Sequence, residues 1–75
     1  MFILESIKVP INTEYIKLQQ LIKLSGIVGQ GSDAKMLIAD GIVKVNGETV
    51  LERGKKIRVG DIVIIDDFGK IEVIE

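Results

Sequence analysis

Asn46-Gly47 restricts the fold of this chain more than any other pair of residues. It lies between Val43-Lys44-Val45, where apolar and polar residues alternate, and the returning segment Glu48-Thr49-Val50. An Asn-Gly pair tolerates two successive left-handed residues, and flanked in this way it specifies a type I′ β-hairpin. The hairpin sits inside a longer unit from Gly31 to Asp61. That unit reads as a short helix, a glycine stop, a strand, the Asn-Gly turn, and a basic segment that closes on Gly60-Asp61.

The remaining elements follow from periodicity. Ile3 to Val9 alternates well enough for a strand, which Pro10 ends because proline has no N–H for a ladder. Asn12 or Thr13 is placed to cap a first helix, with Glu14 in its first turn. Leu18, Leu21, Ile22 and Ser25 form its stripe, Tyr15 lies beside it, and Gly26 stops it. Ser32 or Asp33 is the expected cap of a second helix, whose stripe is Ala34, Leu37 and Ile38 and whose end is Asp40-Gly41. Ala34 is small enough for two helices to approach closely. After the hairpin, Ile57 and Val59 precede a second tight turn at Gly60-Asp61. Ile62 to Ile65 is a continuous apolar strand, Asp66 to Gly69 a loop, and Ile71, Val73 and Ile74 a last strand. The expected fold is α+β: two short N-terminal helices, helix-turn-helix-like, packed on a small antiparallel sheet.

With 75 residues, 47% hydrophobic and 28% charged, the chain suits one folded domain covering 1–75. It has no cysteine and no histidine, which removes disulfides, thiol nucleophiles, the usual general base and the best zinc ligands. No apolar run is long enough for a membrane span, and the start, with Glu5 after only three apolar residues, does not resemble a signal peptide. The expectation is a cytoplasmic, non-enzymatic, monomeric module with no cofactor and no metal.

Net charge is −1, but its distribution is uneven. Residues 15–60 hold eight cations against four anions, a net of +4, and residues 61–75 hold one against five, a net of −4. A chain polarised in this way can bind a polyanion on one face while staying near neutral. Arg53, Lys55, Lys56 and Arg58 fall within six positions around Gly54. Lys35 flanks the second helical stripe, Lys23 stands off the first, and Lys44 lies between the hairpin valines. Spread cations of this kind match the phosphates of a duplex or a folded RNA. With only Phe2, Tyr15 and Phe68 as aromatics, a stacking platform for single strands is not expected.

Several glycine patterns reduce to turns. Gly29-Gln30-Gly31-Ser32-Asp33-Ala34 fits GxGxxA, but it follows a helix where a dinucleotide site needs a strand. Gly26 and Gly31 have phosphate-loop spacing without the lysine such a loop requires. Gly26-Ile27-Val28-Gly29 has apolar centres that suit a buried turn better than a backbone clamp. Asp67-Phe68-Gly69 copies a kinase triplet in a chain far too short for a kinase. Asp66 and Asp67, with Glu72 and Glu75, could in principle offer oxygens to Mg²⁺, but a solvated hairpin tip that keeps an edge strand soluble is the better explanation.

Ala34-Lys35-x-Leu37-Ile38-x-x-Gly41-x-Val43-x-Val45-Asn46-Gly47, followed by Val59-Gly60-Asp61, resembles the S-four domain. This RNA-binding module is named for the fourth ribosomal small-subunit protein and also occurs in pseudouridine synthases and tyrosyl-tRNA synthetases. Leu21 to Gly26 matches its first helix, and the resemblance covers about residues 13–66. The chain is most similar to short stand-alone bacterial proteins of the YaaA and YbcJ type, in which Leu-Lys-Leu-x-Gly (here Ile22-Lys23-Leu24-x-Gly26) and Gly-x-x-Ala-Lys recur and a basic run follows the hairpin. The resemblance implies the alpha-L RNA-binding motif, a structured RNA partner (rRNA or tRNA), and a ribosome-associated role. It also implies an RNA face built on Lys23, Lys35, Lys44, Arg53, Lys55, Lys56 and Arg58. Many family members carry Ser-Arg four and three residues before the matching alanine, and that arginine contacts RNA. Here Gln30 and Gly31 stand instead, so one phosphate contact is missing, or an anion occupies the freed helix N-terminus.

The leading expectation is therefore a non-catalytic RNA-binding module. The alternative is a protein-interaction module that docks the same basic face on an acidic partner, with modest salt dependence and no competition by RNA. A metal-dependent enzyme using Asp66 and Asp67 is a third reading, and it requires divalent-ion binding.

Overall fold

In the computed structural model, which describes residues 5–75, β1 (Glu5–Pro10) runs along one edge of a five-stranded sheet. The start of the expected first strand, Ile3 and Leu4, lies outside the described residues. Pro10 is the last residue of β1, and an edge strand tolerates it because no partner needs its missing N–H. β2 (Ile16–Lys17) leads directly into α1 (Leu18–Leu24), and α2 (Gly31–Ala39) follows. The hairpin of β3 (Val43–Val45) and β4 (Glu48–Thr49) comes next, then β5 (Lys56–Ile57), β6 (Ile62–Ile65) and β7 (Gly69–Ile74).

The main sheet has the order β1-β7-β6-β3-β4, and β2 and β5 form a separate two-stranded ladder. All pairs are antiparallel except one. β1 and β7 run parallel, with Ile7 opposite Ile71 and Val9 opposite Val73. The sheet is therefore mixed, which corrects the expectation of a wholly antiparallel one. A parallel pair needs a long crossover, and here nearly the whole domain supplies it. The helices are likewise not N-terminal in the strict sense, since β1 and β2 precede them.

Strand alternation puts Val43, Val45, Val63, Ile65, Ile71, Val73 and Val9 on one face, where all are buried. Leu18, Leu21, Ile22, Ala34 and Ile38 from the two helices join them in a single core. Ala34 on α2 has no exposed surface, and α1 and α2 are in contact. The apolar run of β6 lies between β7 and β3, so both of its edges are paired.

The hairpin forms as its sequence dictates, with Asn46 at φ 51° and Gly47 at φ 88°, both left-handed as a type I′ turn requires. The helix starts depart from expectation. α1 begins at Leu18, with Lys17 rather than Asn12 or Thr13 at its N-cap and no side-chain cap. Its first donors are satisfied from another segment instead. Leu18 N–H donates to the Lys55 carbonyl at 2.9 Å, and Gln19 N–H to the Arg53 carbonyl at 3.1 Å. Thr13 closes a local turn, its hydroxyl donating to the Tyr15 carbonyl. α2 is capped by Gln30, not Ser32 or Asp33; the Gln30 carbonyl accepts from Asp33 N–H, and both expected caps lie inside the first turn. Ser25, placed on the first stripe, knits the exit of α1: its hydroxyl donates to the Ile22 carbonyl and accepts from Ile27 N–H.

Candidate nucleic-acid interface

The basic segment takes its position from two short backbone links. Through β5 it pairs with β2, Ile16 opposite Ile57 and Lys17 opposite Lys56. Ile57 is fully buried, so the alternate residues Lys17 and Lys56 face solvent together. Through the carbonyls of Arg53 and Lys55 it caps α1, which holds both residues beside the start of that helix. At its far end, Arg58 N–H donates to Asp61 Oδ2 at 2.8 Å, and Asp61 N–H returns a bond to the Arg58 carbonyl at 3.0 Å.

The Gly60-Asp61 turn is tied to the hairpin. Asn46 Nδ2 donates to Asp61 Oδ1, and Asn46 Oδ1 accepts from Ile62 N–H at 3.0 Å. The Asn46 and Ile62 backbones bond at 2.8 Å in the opposite sense. The Val-Asn-Gly and Gly-Asp signatures are thus two halves of one clasp, and Arg58 is anchored to it.

The structure brings some of the sequence-predicted cations together and separates others. Lys35 on α2 and Arg53 line the same groove, which runs between α2 and the loop joining β4 to β5. Lys55 and Lys56 adjoin it along the chain, with Lys17 across the ladder from Lys56. Lys56 Nζ sits 4.9 Å from the centroid of the Tyr15 ring, a cation–π contact that orients an exposed cation. Lys23 lines a separate shallow depression with Ile16, Gln20 and Leu24, on the side of α1 next to β2. Lys44 lies elsewhere. Alternation turns it to the face of the sheet opposite the helices, where its Nζ is 4.0 Å from Asp66 Oδ1.

Ion pairing follows the same division. Among the described residues, Lys44 pairs with Asp66, and Lys70 pairs with Glu72 at 3.2 Å. Lys17, Lys23, Lys35, Arg53, Lys55, Lys56 and Arg58 are all exposed, and among the described residues none has a carboxylate oxygen within 4.0 Å. Among the described residues no three carboxylates converge as a metal site would require. The N-terminus of α2 has no side-chain cap, but Asp33 stands in its first turn and offsets the dipole an anion would seek.

Sequence reasoning left Lys17, Tyr15, Met36, Leu51 and Glu52 out of this surface. Lys17 and Tyr15 are brought in by the β2–β5 ladder, two residues long and too short to leave a periodic signal. Met36 and Leu51 are among the exposed large apolar side chains, at 64% and 65%. With Glu52 they line the groove shared by Lys35 and Arg53.

Residues 9–74 match the family model described as "S4 domain". Over 66 residues the chain is also 39% identical to the "Probable ribosome maturation protein RlbA" of Bacillus subtilis (strain 168), covering 88% of this chain and 93% of that protein. The matched region contains the Asn46–Asp61 clasp, both helices and the whole basic segment. The chain belongs to the S4 domain family.

Proposed function

We propose that this chain is a non-catalytic, cytoplasmic RNA-binding module that engages structured RNA, ribosomal or transfer RNA, through the face made by Lys17, Lys35, Arg53, Lys55, Lys56 and Arg58. Lys23 extends this face along α1. The observation that carries the reading is the Lys17–Lys56 pair. Like charges directly opposite on a ladder repel, and among the described residues no carboxylate relieves them. A polyanion would relieve that repulsion, and spaced cations with little aromatic surface suit phosphates on a folded RNA. Family membership supports the same reading, and the name of the Bacillus relative points to ribosome maturation as the process. Lys44, on the other face of the sheet, would reach only RNA that wraps around the hairpin.

The test is binding of hairpin RNA, duplex DNA and single-stranded RNA, each titrated across monovalent salt. The expected outcome is tightest binding to the hairpin, with log K falling linearly against log salt by about 0.7–0.9 per neutralised phosphate. If no nucleic acid binds even at low salt, the face serves an acidic protein partner instead.

A further inference from the structure

The groove between α2 and the β4–β5 loop has a composition that phosphate binding alone does not explain. Lys35 and Arg53 line it, but so do the acidic residue Glu52 and the exposed residues Met36 and Leu51. A sugar–phosphate ribbon gains little from apolar contact and is repelled by a carboxylate. Among the described residues Glu52 forms no ion pair within 4.0 Å, although two cations line the same groove. None of the described residues donates a hydrogen bond to its carboxylate oxygens.

Leu51 is seated over the end of α2, since a Cβ built on Gly41 would lie 3.9 Å from Leu51 Cδ2. The loop that carries Glu52 and Arg53 is fixed by Lys55 N–H donating to the Glu52 carbonyl at 3.2 Å, and by the Arg53 carbonyl capping α1. The groove is thus a built surface with apolar walls, an acceptor and flanking cations.

Resting on the RNA-binding reading above, we infer that this groove takes one unpaired, extruded nucleobase of the bound RNA, guanine in preference to the others. A base face packs on Met36 and Leu51, Lys35 and Arg53 neutralise the phosphates on either side, and the Glu52 carboxylate accepts from the base edge. Guanine presents adjacent N1–H and N2–H donors that a carboxylate accepts as a pair. Adenine and cytosine each offer one amino group on that edge, and uracil offers a single imino proton. Bulged nucleotides are already unstacked, so splaying one into a protein groove costs little.

The test compares one hairpin carrying a single bulged G, A, C, U or inosine with its fully paired counterpart, at fixed salt. A bulged guanosine should tighten binding on the order of fivefold or more, inosine should lose part of the gain, and the other bases should gain less. Glu52→Gln removes a negative charge and so raises affinity for every RNA; the readout is the guanosine-to-adenosine ratio, which should fall towards one. The double variant Met36→Ala, Leu51→Ala should shrink the advantage of every bulge over the paired stem. Equal affinity for all five bulges and the paired stem, with a steep salt slope retained, overturns the inference and leaves the RNA reading standing. Absence of binding to any of the RNAs overturns both.

Discussion

Asn46 Nδ2 donates to Asp61 Oδ1 at 3.1 Å, joining two turns that lie 15 residues apart in the chain. Each residue has a second duty. Asn46 Oδ1 receives Ile62 N–H, and Asp61 Oδ2 receives Arg58 N–H at 2.8 Å. Removing one partner leaves the other to solvent and frees a backbone donor as well. Asp61→Ala should cost about 1–2 kcal/mol and Asn46→Ala a similar amount. Because the two act through a shared bond, the double variant should cost less than the sum, by about 0.5–1 kcal/mol. Urea unfolding of the four proteins in the cycle checks this; strict additivity would show that the two turns are independent.

Arg53 and Lys55 hold α1 with their carbonyls and face solvent with their side chains. Truncating both to alanine keeps the backbone caps. Stability should change by less than about 0.5 kcal/mol, as for other surface substitutions. Affinity for hairpin RNA should fall, and the salt slope should flatten by roughly 1.5. An unchanged affinity would remove these two residues from the RNA face.

Lys17 faces Lys56 across the ladder and also occupies the N-cap of α1. Lys17→Glu turns a like-charge pair into an opposite-charge one, leaves Lys56 over Tyr15, and puts a carboxylate at the positive end of a helix. Each change favours the fold, together by about 0.5–1 kcal/mol. RNA affinity should move the other way, since the face loses a cation and gains an anion. A rise in the unfolding midpoint with a drop in RNA binding separates the demands of folding from those of function. If both properties rise or both fall, the pair has no such conflict.

The parts of this architecture that rest on short-range pattern were legible in the sequence. The Asn46-Gly47 turn, the Ala34-Leu37-Ile38 stripe, the Asp40-Gly41 stop and β6 each carry a signal within a few residues. What escaped was decided by contacts distant in sequence. The caps of α1 come from Arg53 and Lys55, so no reading of residues 12–17 could find them. The parallel pairing of β1 with β7 joins the two ends of the described chain, and periodicity says nothing of direction. At the site, the basic residues were visible as a cluster, but which face each would occupy depended on register. Lys44 turned away because Val43 and Val45 go inward, whereas Lys17 joined because Ile16 pairs with Ile57.

Ile57 connects the core to the interface, since it is fully buried while its neighbour Lys56 faces solvent. Truncation to alanine removes volume from the core that Ile57 shares with both helices and should cost about 2–5 kcal/mol. Domains of this size hold only about 3–5 kcal/mol from a single core, so Ile57→Ala should lose most of that margin and populate unfolded chains near room temperature. Ile57→Val removes one methylene group and should cost about 0.5–1.5 kcal/mol, leaving the β2–β5 ladder and RNA affinity intact. The two variants make the role of the residue testable. If Ile57 acts only through the fold, trimethylamine N-oxide, which strengthens effective burial, should restore helical circular dichroism and hairpin binding to Ile57→Ala in parallel. Recovery of the spectrum without recovery of binding would mean that the ladder needs the full isoleucine to hold Lys56 and Lys17 in register.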